Sequence, residues 1–160
     1  MASRSLTACD PILAEKFLLL QEAYSARFFP WFLQITCTYR TPAEQQALYA
    51  QGREGLDIVN MKRAAVKLPS IRAEENEHKV TWTLRSRHTR YPSEAIDVVP
   101  AIDPDGPEGP LKVRVDFDDL GHFRPLVPLA EKFGLISGGA WGHPDWPHLE
   151  LPIPSSMEAV

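Results

Sequence analysis

SRHTRYPSEAIDVVP, residues 86–100, is the stretch whose reading decides the fold. Its second half, Ala95-Ile96-Asp97-Val98-Val99, is a short run rich in β-branched residues and broken by a single carboxylate. As a strand it sets Ala95, Asp97 and Val99 on one face and Ile96 and Val98 on the other. His88 follows a further strand candidate, VTWTL at 80–84. A reversal through TRYPSE then brings the His88 imidazole to the Asp97 carboxylate.

Working outward, Asp10-Pro11 supplies an N-cap and an N1 proline, and Leu13, Phe17, Leu20 and Tyr24 recur at helical spacing, so a helix is expected to about Phe28. LQITCTY reads as a strand ending at Arg40, and Thr41-Pro42-Ala43-Glu44 as a capping box that opens a short helix stopped at Gly52. The excursion at 53–79 has no sustained period, with one helical piece expected near 57–66, and a loop of this length often shapes a site. Downstream, AIDPDGPEGP reads as a loop, Phe123 to Phe133 as a helix disturbed by Pro128 and closed by Gly134, PHLEL as a terminal strand, and 154–160 as a frayed tail. No internal repeat or second boundary is evident, so one domain over 1–160 is expected.

With 160 residues, 44% hydrophobic and 24% charged, the chain has the profile of one compact domain that needs no metal merely to stay folded. Cys9 and Cys37 are too few for a disulfide framework and lie in no CxxC or Cys/His pair, so both are read as free thiols. The start lacks the pattern of a signal peptide and no run is long enough for a membrane span, so synthesis in the cytoplasm is expected. A net charge of −4 gives no reason to expect nucleic acid or an anionic membrane as partner. Charge is uneven, however: Lys62, Arg63, Lys67, Arg72, Lys79, Arg85, Arg87 and Arg90 form a basic stretch, read either as solvated surface or as a groove for carboxylate-bearing substrates.

The chemistry gathers in two places, His88 with Asp97 and Asp145 with His148. Two imidazoles and one carboxylate (His88, His148, Asp97) leave a fourth tetrahedral position for water, which is the open arrangement of a catalytic zinc. Such a site hydrolyses amides if a base receives the proton, and Asp145 is placed for that role or for a turn. Arg40 is either a surface ion-pair partner or a fixed cation for an oxyanion or a substrate carboxylate. A serine triad of Ser86, His88 and Asp97 lacks a nucleophile elbow. An iron-binding facial triad fits poorly with the nine-residue step from His88 to Asp97 and the helical content.

SRHTRYPSEAIDVVP resembles the Ser-x-His…Ala-x-Asp segment of the VanY-like zinc peptidases, the D-alanyl-D-alanine carboxypeptidases and L-alanyl-D-glutamate endopeptidase endolysins. DWPHLEL resembles their Asp/Glu-x-x-His segment, and TCTYRTPAEQQALYAQGR their upstream arginine stretch, in the same order from about Ile35 to Leu151. The resemblance implies an α+β, hedgehog-like fold with a small antiparallel sheet flanked by helices. It implies Zn2+ on His88, Asp97 and His148, acid/base catalysis by Asp145, transition-state contact by Arg40 and substrate contact by Ser86. The implied substrate is the peptidoglycan stem peptide; size and the absence of a leader pattern favour a monomeric endolysin that cuts between L-Ala and D-Glu and reaches the wall after release. D-Ala-D-Ala carboxypeptidase or dipeptidase activity, or a non-catalytic hedgehog-like binding domain, are the alternatives. One departure is the interval from His88 to Asp97, which is seven residues and contains glycine in many relatives. A second is His143, a competing imidazole with no motif match.

Overall fold

Asp10 accepts a hydrogen bond from Ile12 N at 2.8 Å, and with Pro11 at N1 this opens α1 (Pro11–Phe28). The computed structural model describes residues 2–103, 113–114 and 118–153. Most of the AIDPDGPEGP loop (104–110) and the 154–160 tail therefore lie outside the described residues. Leu13, Phe17, Leu20 and Tyr24 are buried along one stripe of α1, as their spacing requires. Strand β1 (Phe32–Cys37) follows, then α2 (Pro42–Ala50), capped by Thr41 Oγ1, which accepts from Glu44 N at 3.2 Å. Gly52 sits just past α2 with φ of 77°, and a Cβ there would stand 2.8 Å from Lys79 N, so only glycine suits the exit. Helix α3 (Leu56–Ala65) is the helical piece within the excursion.

The sheet is centred on β2 (Ala95–Ile102). Antiparallel partners flank it: β1 on one side, β5 (His148–Glu150) on the other, and beyond β5 the two-residue β4 (Ile136–Ser137). The short β3 (Val113–Arg114) also pairs with β2. Four α-helices and this small antiparallel sheet make the fold α+β, as expected. Ile96 and Val98 join the α1 residues and Phe123, Leu126, Leu129 and Leu149 in the core. Asp97, between them in sequence, faces the opposite way. Among the described residues no helix is long and apolar enough to cross a membrane.

Several expectations change. VTWTL is not a strand: Val80, Trp82 and Leu84 are exposed, and the buried Gln45 amide donates to Thr81 Oγ1 at 3.1 Å and Thr83 O at 2.8 Å. A side chain of α2 thus takes the place of a sheet partner for this segment. Strand β1 ends at Cys37 rather than Arg40: beyond it the backbone turns to other partners, Thr38 N donating to Ser3 O at 2.7 Å and Arg40 N to His88 O at 2.9 Å. Ala101 and Ile102 extend β2 instead of opening the loop. The last helix, α4 (Leu126–Lys132), starts three residues late, with Pro125 as its N-cap. Pro128 falls in its first turn, where a missing N–H costs no helical bond.

Phe17 is fully buried at the centre of the core. Phe17→Ala is expected to cost about 3–5 kcal/mol, read from denaturant unfolding midpoints; a loss under about 1 kcal/mol would contradict the packing described.

Candidate metal centre

Three adjacent strands carry one cross-strand row. Cys37 of β1 pairs with Asp97 of β2, and Asp97 pairs with His148 of β5. The register shift before Cys37 is what sets it opposite Asp97, since an unbroken ladder from Ile35–Val98 would put Thr36 there. His88 reaches the row from a single 3₁₀ turn (Arg87–Thr89) whose first N–H groups are met by Ser86: its Oγ accepts from His88 N at 3.2 Å.

The chain returns from His88 to β2 through a turn anchored by the buried Ser93. Its single Oγ proton is shared between Thr38 O and Ala95 O, both at 2.8 Å, while its backbone bonds to Ala8 and Asp10. The longer interval therefore still closes, with His88 Nε2 3.0 Å from Asp97 Oδ1.

Each imidazole has one nitrogen committed elsewhere. His88 Nδ1 donates to Thr38 O at 2.7 Å, and His148 Nε2 donates to Glu150 Oε1 at 2.9 Å. A backbone carbonyl and a carboxylate are acceptors, so each of these bonds takes one N–H and leaves His88 Nε2 and His148 Nδ1 as the nitrogens that donate to Asp97 while protonated and carry the lone pair once the ring is neutral. Both of these nitrogens lie on the same oxygen, Asp97 Oδ1, at 3.0 and 3.3 Å. Glu150 is in turn ion-paired to Arg87 at 3.3 Å, and Arg87 to Glu94 at 2.7 Å.

Cys37, His88 and Asp97 have donor atoms all within 4.8 Å of one another and are close enough to hold a metal ion. Both cysteines are free, as expected; both are also buried, and Cys37 is no isolated thiol. Its Sγ lies 3.7 Å from His88 Nδ1 and 3.5 Å from Arg40 Nη2. Nothing in the local sequence signals this contact, which spans 51 positions and depends on the register shift.

Arg40, Ser86, His88, Asp97, Asp145 and His148 all line one cleft of about 610 Å³. Arg40 stands 3.8 Å from Asp97 Oδ2 and donates to Gln45 Oε1 at 2.8 Å. Asp145 Oδ2 is 4.0 Å from His148 Nδ1 on the open side, half exposed. Gly138 sets that side, because a Cβ there would lie 2.4 Å from Asp145 O and 3.0 Å from His148 Cβ. His143 stands apart from the row, its ring stacked on Trp82 at 5.1 Å. Glu150 and Gly138 were not singled out by sequence reasoning, and Gln45 entered only as part of the upstream arginine stretch, with no role of its own. Glu150 had a signal, since residues two apart on a strand share a face.

Burial opposes charge on His88, but the Asp97 carboxylate overrides it and pushes the imidazole up to about 10. Burial also opposes ionisation of Asp97, yet His88 and His148 hold its carboxyl well below the usual carboxylate range. Burial and then the Asp97 charge push Asp145 up. No family model matches the chain, and no curated protein matches it.

A pH dependence of the chelator-treated protein follows. His88 is raised from 6.5 to about 10, so its pairing contributes fully below about 6.5 and is lost as pH rises towards 10. Thermal unfolding in chelator is expected to show Tm falling across that window, and His88→Gln to flatten the fall. An unchanged slope in His88→Gln would assign the titration to another group.

Proposed function

We propose that this chain is a zinc peptidase of the VanY-like kind, acting on peptidoglycan stem peptides, with His88 Nε2, Asp97 Oδ1 and His148 Nδ1 as the metal ligands. The single observation that carries the reading is that two imidazoles, each bonded elsewhere through its other nitrogen, present their remaining nitrogens to one carboxylate oxygen at 3.0 and 3.3 Å. With metal–ligand bonds of roughly 2.0–2.1 Å, tetrahedral ligands sit roughly 3.3 Å apart, so the spacing suits such an ion. The ordered motif resemblance from Ile35 to Leu151 supports the same set. The cluster with Cys37 favours a second arrangement, but Cys37 Sγ lies against His88 Nδ1, the nitrogen already bonded to Thr38 O.

His88, Asp97 and His148 would hold the ion, and zinc there would supply Lewis acidity towards a scissile carbonyl and a water nucleophile at neutral pH. The chain's own residues supply the rest. Asp145, on the open side of His148, is suited to take the proton from water and return it to the leaving amine. Arg40, held by Gln45 rather than free in solvent, sets a fixed positive charge where an oxyanion develops. Ser86 fixes the His88 turn through its Oγ and also lines the cleft, where substrate contact is open to it. Cleavage of the L-Ala–D-Glu bond by an endolysin made in the cytoplasm and acting on the wall after release is the favoured form; removal of terminal D-Ala is the other.

Metal analysis is expected to find about one zinc per chain, lost in His148→Ala and retained in Cys37→Ala. Glu150→Gln is expected to weaken affinity by about 10–100-fold by loosening the His148 ring. Substituting cobalt for zinc and seeing a thiolate charge-transfer band that vanishes in Cys37→Ala would move the centre to the cysteine set.

Purified peptidoglycan is expected to yield a newly freed D-Glu amine by mass spectrometry, and chelation to stop its release. Asp145→Asn should lower turnover by about 10²–10⁴-fold with zinc content unchanged, and Arg40→Lys by less, shared between kcat and KM. Release of D-alanine alone would make it a carboxypeptidase, and intact peptidoglycan despite bound zinc would make it a binding protein.

A further inference from the structure

Four arginines line the cleft: Arg40, Arg85, Arg87 and Arg90. Three of them are committed to partners within the chain. Arg40 is held by Gln45 and stands beside Asp97, Arg87 is paired with Glu94 and Glu150, and Arg90 with Glu94 at 3.0 Å. Arg85 differs. Its side chain is exposed, and no carboxylate pairs with it among the described residues.

The main chain that carries Arg85 is nonetheless fixed. Arg85 N donates to Thr83 Oγ1 at 2.9 Å, and Thr83 O accepts from the buried Gln45 amide at 2.8 Å. The same Gln45 side chain accepts from Arg40 at 2.8 Å, so one buried amide sets both the Arg40 guanidinium and the wall that bears Arg85. On the other flank, Ser86 Oγ fixes the turn that begins one residue later. A guanidinium with a fixed base, an unengaged head and a place in the cleft is built to meet an anion from outside, and its planar fork matches a carboxylate through two parallel bonds.

We propose that Arg85 is the specificity-determining residue for a free carboxylate on the peptide, close to the scissile amide, and that the substrate class is acidic rather than amidated peptides. This rests on the peptidase reading of the same cleft. Arg85 acts on binding, and the reacting atoms are left to Asp145 and Arg40.

Two matched peptides test it, one with a free α-carboxylate on the residue following the scissile bond and one with that group as carboxamide. Wild-type protein is expected to show about tenfold lower KM for the carboxylate, and Arg85→Gln to erase the preference with kcat within about twofold. Added salt should shrink the preference in the wild type alone. Calorimetric titration with the same pair, made uncleavable by N-methylation of the scissile amide, reads binding apart from turnover. A carboxylate preference that survives Arg85→Gln, or a loss equal for both peptides, overturns the proposal. Absence of hydrolysis together with an Arg85-dependent preference in calorimetry would overturn the peptidase reading while supporting the acidic ligand.

Discussion

Asp97 puts a carboxylate into the central strand of the sheet, between Ile96 and Val98, both of which are fully buried. An ionised group in such a setting is unfavourable by several kcal/mol unless opposite charge or hydrogen bonds meet it. Here two imidazoles and a guanidinium do so: His88 at 3.0 Å, His148 at 3.3 Å and Arg40 at 3.8 Å. Much of the remaining architecture consists of what is needed to bring these three groups to one oxygen pair from three separate parts of the chain. β5 delivers His148 by register, the Ser93-anchored turn delivers His88, and α2 holds Arg40 through Gln45.

The supports are layered outward and alternate in sign. Behind His148 stands Glu150, behind Glu150 stands Arg87, and behind Arg87 stands Glu94, which also meets Arg90. Such a chain orients the ring and keeps each successive charge neutralised, so that the inner set can release protons and accept a cation without leaving a buried charge unmatched. His88 has a different kind of backing. Its outer nitrogen is satisfied by the Thr38 carbonyl, and that same oxygen also accepts from Ser93. One imidazole is thus held by an ionic relay and the other by backbone, which ties the first to surface charge and the second to the fold.

The helices were legible because their signals are local. Asp10-Pro11 and Thr41-Pro42 mark two starts, and the Leu13, Phe17, Leu20, Tyr24 stripe marks the buried face. β2 was legible as an apolar run, and His88, Asp97, Asp145, His148 and Arg40 as residue types in a spaced order. What could not be read depends on pairing between distant segments. The register shift at Ile35 to Cys37, the two-residue strands β3 and β4, and the contact of Cys37 with His88 have no period or motif of their own. VTWTL misled for the opposite reason: it has strand composition and alternation, yet its polar positions are claimed by Gln45.

The close approach of Gly138 gives the two sides of the cleft different mechanical characters. On the His88 and Arg40 side, position is maintained by charges and hydrogen bonds, which soften or reorganise as protons come and go. On the Asp145 side, position is maintained by main chain resting against main chain: Asp145 N donates to Gly138 O at 2.9 Å, and the space a side chain at 138 would need is already filled by the Asp145 carbonyl. Steric contact of this sort is indifferent to ionic strength and acidity. The cleft therefore has one wall that answers to the electrostatic state of its contents and one that behaves as an anvil, and the carboxylate of Asp145 is mounted on the unyielding one.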